Sequence, residues 1–390
     1  MVGSNDGMNI LYLVPYVPSL KANHAGGAAM GKELEELRKH HHVTVLCFIQ
    51  DPYEYELAEK EPDADRVFYP VSTLQKAAAA CTHPGMPAFF AIRAIPGFLK
   101  KAEELIREKN IQAVHAEFTA MGQFAEPLKR MFPHLIFHLV LHDVTAQSYE
   151  RQVNAAAGLK KAVLKAQLRA VKKCENDYIR HCDCVIVFNE KDRKLLKDYY
   201  GVTEAEVINT YFSIPEERIG EGKDLCFLGA MNREENEEAA LRLISLYNRL
   251  PPSEAELYII GAKPPEHLQS MATERIHITG FVENPDEYMA KAMIAVFPLK
   301  RGAGIKVKVL NALAMGIPVI TTDVGAEAID EEGKALVLAN TDEEILAWIQ
   351  RLAESPELRR EISQKERQLI ADRFSWEKTE KVFLKLYDHH

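Results

Sequence analysis

Six cysteines in 390 residues are too few for a disulfide scaffold, and none forms paired C-x-x-C elements of the zinc-ribbon kind. No uninterrupted apolar run approaches the roughly 18 residues needed to cross a bilayer. Basic residues are in the minority, 48 Lys and Arg against 57 Asp and Glu, for a formal net charge of -9. That balance excludes a mainly electrostatic nucleic-acid binder unless a basic patch is strongly localised. Met1–Gly7 is polar, and no basic-then-apolar secretion signal follows it, so a cytoplasmic location is expected. What remains is ordinary globular composition, 47% hydrophobic and 27% charged, enough for a sizeable core. At about 150 residues per domain, the length predicts two domains or three.

Short apolar runs recur with helical periodicity between most of them. The first series comprises Asn9–Val14, Val43–Phe48, Val67–Tyr69, Ala113–His115, Leu135–Leu141, Val185–Phe188 and Val207–Asn209. A polar, Gly-containing break follows at Pro215–Gly222, and the pattern restarts. Leu225–Leu228, Leu257–Ile260, Ile276–Ile278, Ile294–Phe297, Val319–Thr321 and Leu336–Leu338 form the second series. Near-continuous apolar strands separated by helices are the mark of parallel sheets covered on both faces. The expectation is therefore an α/β protein of two Rossmann-like domains, residues 8–213 and 222–370, facing across a cleft. Residues 371–390 are read as an amphipathic C-terminal helix.

The richest segment is Pro298–Ile320. A strand ends at Pro298, a basic loop with Gly302 and Gly304 follows, and a helix is predicted from near Ile305 to Ala314. A glycine loop opening onto a helix N-terminus offers backbone N–H groups and a positive dipole end to an anion. Arg301, Lys306 and Lys308 would add side-chain cations, so a diphosphate is the natural ligand. The alternative is a solvated basic turn whose glycines serve backbone geometry alone.

Arg301, Gly302, Gly304, Lys308, Ala312, Ala314, Gly316, Pro318 and Val319, followed by Gly325-Ala326-Glu327, resemble the donor-binding segment of retaining GT-B glycosyltransferases, family 4 (glycosyl transferases group 1). Phe227–Asn232 with Asn236, Ile278–Val282, Asn9–Pro15 with Gly26-Gly27, and Val187–Asp192 extend the likeness over nearly the whole chain. The resemblance implies sugar transfer from a nucleotide-diphosphate donor to a hydroxyl acceptor, with retention of configuration and without a metal or other cofactor. The amino-terminal domain would receive a glycan, lipid-linked or small-molecule acceptor, and the carboxyl-terminal domain would hold the donor.

Residue by residue, it implies catalytic roles for His142, Lys308 and Arg301. Donor contacts would fall to Gly27, Gly229, Phe281, Val282, Gly302, Gly304, Lys306, Asn311 and Glu327, and acceptor contacts to His115, Glu117 and Asp143. The family commonly has Glu at the positions of Asn311 and Ala303, so this chain lacks the charge that orients a ribose there. Glu327 is the substitute we expect. That departure motivates an alternative, a catalytically weak nucleotide-sugar-binding protein serving another glycosyltransferase. An epimerase of the same architecture is disfavoured, because no acidic cluster marks the amino-terminal domain. Gly26-Gly27 is expected in a loop where backbone approaches a phosphate or sugar; the G-x-G-x-x-G spacing of dehydrogenases is absent.

Other signals have plainer readings. Asp63-Ala64-Asp65 is read as a solvated turn rather than a metal site, His40–His42 as a helix end, and Cys182 and Cys184 as half-buried core thiols. Lys160, Lys161, Lys165, Arg169, Lys172 and Lys173 form a stripe on a predicted helix. A solvated face is the favoured reading and peripheral contact with an anionic membrane the other. Phe89–Ile92 is expected to pack in the core.

Overall fold

The computed structural model describes residues 7–22, 25–60, 63–208, 222–302 and 304–387. Most of the predicted break, together with Ala303, lies outside the described residues. The chain divides into two compact units, Met1–Ile208 with Lys385–His390, and Asn209–Leu384.

The first unit is built on seven strands: β1 Asn9–Val14, β2 His42–Ile49, β3 Arg66–Pro70, β4 Ala113–Glu117, β5 Ile136–Leu141, β6 Cys184–Val187 and β7 Ala205–Val207. Their order is β3-β2-β1-β4-β5-β6-β7, with every pairing parallel. Strands buried on both faces need no polar alternation, which is why β1, β4 and β5 read as apolar runs. The row Tyr12, His115, His138 and Cys184 is in register across β1, β4, β5 and β6, so these four side chains share one face.

The second unit has six strands: β8 Asp224–Leu228, β9 Leu257–Ile260, β10 Ile276–Ile278, β11 Ala292–Phe297, β12 Val319–Thr321 and β13 Val337–Leu338. They are all parallel, in the order β10-β9-β8-β11-β12-β13. In both sheets the chain runs outward from its first strand, then crosses to the other side. Loops diverge at that reversal, between β1 and β4 and between β8 and β11, and leave a crevice at the strands' carboxyl ends.

Three local expectations are corrected. Gly26 and Gly27 lie in the first turn of the helix Ala25–His40, not in a loop. The last strand of the first unit is Ala205–Val207, two residues earlier than predicted. The basic loop ends in a helix that starts at Val307 rather than Ile305. Phe90 is fully buried, and Phe48 stacks on Phe98 with centroids 3.7 Å apart, the aromatic centre of the first core.

Candidate active site

In the second unit, Gly229, Asn236 and Lys308 meet beside the switch between β8 and β11. Lys308 stands in the first turn of the helix Val307–Ala314, which has no acidic residue there and no side-chain cap among the described residues. Its Nζ donates to Asn236 Oδ1 and lies 5.0 Å over the Phe227 ring. Burial pulls its ammonium down to about 7, opposed by the nearby charge of Glu235 and reinforced by Lys306 and Arg233. A lysine held so close to neutrality has a neutral amide as its bonded partner, so an arriving diphosphate would restore its charge.

Lys306 Nζ donates to Gly304 O at 2.6 Å and sits 3.7 Å from Glu327 Oε2. The loop therefore folds back on itself, with Gly302 and Gly304 at φ +145° and +66°, conformations that favour glycine. At the end of β12, Thr321 and Thr322 donate to Phe297 O and Leu299 O. Arg301 behaves differently from its neighbours. It is half exposed and already paired, Nη2 to Glu234 Oε1 at 2.7 Å and Nε to Glu238 Oε2 at 2.9 Å.

Gly229 closes β8 against the Asn236 side chain: a Cβ there would lie 2.9 Å from Asn236 Cγ. Phe281, beyond the end of β10, is 61% exposed, whereas Val282 packs against the core. An aromatic ring left in water at a strand's carboxyl end is available for stacking on a base. Asn311 is half-buried one turn along the helix from Lys308.

In the first unit, His142 follows β5. Its Nε2 lies 2.8 Å from Glu117 Oε2. Its ring stacks on Phe118 with centroids 3.7 Å apart and meets Phe188 edge-on at 4.9 Å. The Phe118 backbone is strained, with φ +69° in a non-glycine residue. The helix Thr145–Ala155 begins just after His142-Asp143. Its first N–H groups, those of Thr145 and Ala146, donate to the buried Glu175 carboxylate, which burial pushes up to about 7.

Of the residues expected to contact an acceptor, the His115 and Glu117 side chains are 0% exposed and Asp143 is exposed, while His142 is partly exposed. Gly27, in its helical turn, is buried as well. Asn189, quoted in the sequence pattern, serves as a helix cap by accepting from Asp192 N at 2.8 Å. Asp63 is ion-paired with Arg38 and Arg66.

Glu33 and Tyr387 were missed. Glu33 sits on the apolar stripe of its helix beside buried Met30, Leu34 and Leu37, and a charge at such a position was the available signal. Tyr387 carried no signal at all. Glu33, His115 and Glu117 bring donor atoms within 4.8 Å of one another, the one grouping of metal-ligand type among the described residues. An imidazolium between two carboxyl groups balances the same charge without an ion.

Two parallel α/β units, each with its chemistry at the carboxyl ends of the strands, define the GT-B class of fold. The chain belongs to the glycosyltransferases of family 4 and group 1: residues 30–210 match the model described as Glycosyltransferase Family 4, and residues 222–355 match Glycosyl transferases group 1. No curated protein sequence matches it. Among solved structures it is similar to sucrose-phosphate synthase from Thermosynechococcus elongatus, with TM-score 0.72 and 15% identity over 97% of each chain. Anabaena HepE in complex with UDP and glucose aligns with TM-score 0.68 and 14% identity, over 97% of this chain and 98% of that one. A point mutant of TarM from S. aureus, in complex with Fondaparinux, alpha-GlcNAc-glycerol and UDP, aligns with TM-score 0.68 and 11% identity, over 98% and 100%. These likenesses concern the fold.

Proposed function

We propose that the protein transfers a sugar from a nucleotide-diphosphate donor to a hydroxyl acceptor, with retention of anomeric configuration and without a metal ion. The second unit holds the donor and the first receives the acceptor beside His142. One observation carries this reading: Lys308, nearly neutral by burial, stands with Lys306 at an uncapped helix N-terminus beside the β8–β11 switch. Fixed N–H groups and desolvated ammonium groups stabilise charge that grows on a departing diphosphate, the role otherwise taken by a metal. Family membership and the UDP held by HepE support the donor class. Glu117 is already occupied by His142 and Tyr12, which disfavours it as a nucleophile and favours attack on the face the diphosphate leaves.

The test is a panel of nucleotide sugars, scored for diphosphate release with and without acceptor extracts, with EDTA present, and for product anomer by NMR. Acceptor-dependent release of one nucleotide, with the donor's configuration kept, is expected. Binding of a nucleotide sugar without release would favour the alternative that Asn311 motivates, a binding partner of another transferase.

A peripheral membrane contact belongs to the same proposal. On the helix Gly158–Arg180, Leu159 is 82% and Val163 51% exposed, one turn apart and flanked by Lys160, Lys161 and Lys165. Leu164 and Val171 face the core on the other side. Cosedimentation with phosphatidylglycerol vesicles, lost in Leu159→Glu/Val163→Glu, is the expected result; binding that survives the change would place the contact elsewhere.

A further inference from the structure

We propose that Tyr387, acting through His115 and Glu117, is a positioning residue for His142, so that the C-terminal segment sets the orientation and proton of the imidazole at the end of β5. The inference deepens the proposed function, and its kinetic arm rests on that reading.

Tyr387, His115 and Glu117 are buried in a row that ends at His142, with hydrogen-bond distances at both ends and an ion-pair approach between His115 and Glu117. Tyr387 Oη lies 2.5 Å from His115 Nδ1, His115 Nε2 lies 3.3 Å from Glu117 Oε1, and Glu117 Oε2 lies 2.8 Å from His142 Nε2. Tyr12 Oη donates to Glu117 Oε1 at 2.7 Å, so both carboxylate oxygens are occupied. Tyr387 is 4% exposed and packs on His41 and His138, each with ring centroids 5.0 Å away, which fixes its hydroxyl over His115.

The proton positions follow from the partners. His115 faces Tyr12 on β1, Glu117 on its own strand, His138 on β5, Glu33 at 3.7 Å from the helix Ala25–His40, and Tyr387. Burial alone would lower its basicity, but the two carboxyl groups raise it to about 9. Burial and the Glu117 charge push Glu33 up to about 8. Glu117, despite burial, is held well below the usual carboxylate range by His115 and His142. An ionised carboxylate only accepts, so His142 carries its proton on Nε2 and turns Nδ1 away from Glu117. His115, as imidazolium, donates to Tyr387 and compensates the Glu117 charge. Around His142 itself stand Glu117, Phe118 and Phe188, with Asp143 its chain neighbour.

The responses distinguish a relay from a passive polar core. Tyr387→Phe removes the hydroxyl that accepts from His115 Nδ1, which frees the His115 ring to turn away from Glu117. Glu117→Gln removes the anion that holds the His142 proton on Nε2. The experiment is an NMR titration of the full chain with 15N-labelled histidine, beside transferase kinetics. In the wild type, His142 is expected as the Nε2–H tautomer, with a second inflection where His115 loses its proton. Tyr387→Phe and Glu117→Gln should each raise the share of His142 in the Nδ1–H tautomer, Glu117→Gln the more strongly. Kinetically, Tyr387→Phe should lower kcat roughly threefold to tenfold and leave the donor KM unchanged.

An unchanged His142 tautomer in folded Tyr387→Phe would overturn the proposal. If that variant does not fold, the wild-type titration decides: the second inflection supports the relay, and its absence overturns it. Failure of every donor to react would overturn the proposed function, while the NMR titration still decides the relay.

Discussion

Lys308→Met is expected to lower turnover with a nucleotide-sugar donor by at least about a hundredfold while making the second unit more resistant to heat. Both effects have one cause. Holding a lysine at about 7 instead of 10.5 corresponds to roughly 4 kcal/mol of unfavourable burial at pH 7. Asn236 and the Phe227 ring offset part of that cost. Methionine follows much of the same hydrocarbon track without the charge, so the variant recovers some of the energy.

The pH dependence has a definite sign. The unfolded lysine binds a proton up to about pH 10.5 and the folded one only up to about 7. The cost is therefore complete below pH 7 and fades as pH climbs through that window. Calorimetry at both ends should show wild-type stability catching up with the variant's. The same missing charge removes stabilisation of the departing diphosphate, so turnover collapses. Arg301→Ala, at a half-exposed side chain already bound to Glu234 and Glu238, should cost under about tenfold. Wild-type turnover in Lys308→Met, or a lower melting temperature at pH 7, would sink the assignment.

Gly261→Ala should destabilise the second unit by about 3 kcal/mol or more and weaken donor binding with it. Gly261 has φ +145°, and a Cβ there would fall 1.9 Å from Gly229 O. Neither atom belongs to a flexible side chain that could yield. Gly229 N also donates to Ile260 O at 2.9 Å, so the ends of β8 and β9 are joined backbone to backbone. Pushing them apart shifts the turn that seats Asn236, and through it Lys308. Gly201 is the control. It is also left-handed, φ +71°, but a Cβ there meets nothing within 4 Å. Gly201→Ala should cost about 1 kcal/mol and leave donor affinity alone. Denaturant melts and calorimetric binding of UDP compare the two. Equal costs would show that the close approach at Gly261 is not held in solution.

Much of this was legible in the sequence because buried parallel strands are written as local apolar runs. All thirteen strands among the described residues fall on or beside runs visible in the chain, from Asn9–Val14 to Leu336–Leu338. The basic loop at Arg301–Lys308 was legible for a similar reason: glycine, cation and helix start lie next to one another. Gly26-Gly27 misled, because two glycines read as a loop when nothing local shows the helix Ala25–His40 that packing continues through them.

The amino-acid order alone determined two α/β units and the stretch of chain able to meet a diphosphate, since strand burial and helix-terminus chemistry depend on near neighbours. Only the tertiary structure decided which cations stand ready for a ligand. It paired Arg301 with Glu234 and Glu238, buried Lys308 against Asn236, and sank His115 and Glu117 beneath His142. It also brought Tyr387 to His115 across 272 residues. Burial and charge pairing depend on which distant side chains arrive at the same place, and no local pattern in a sequence records that.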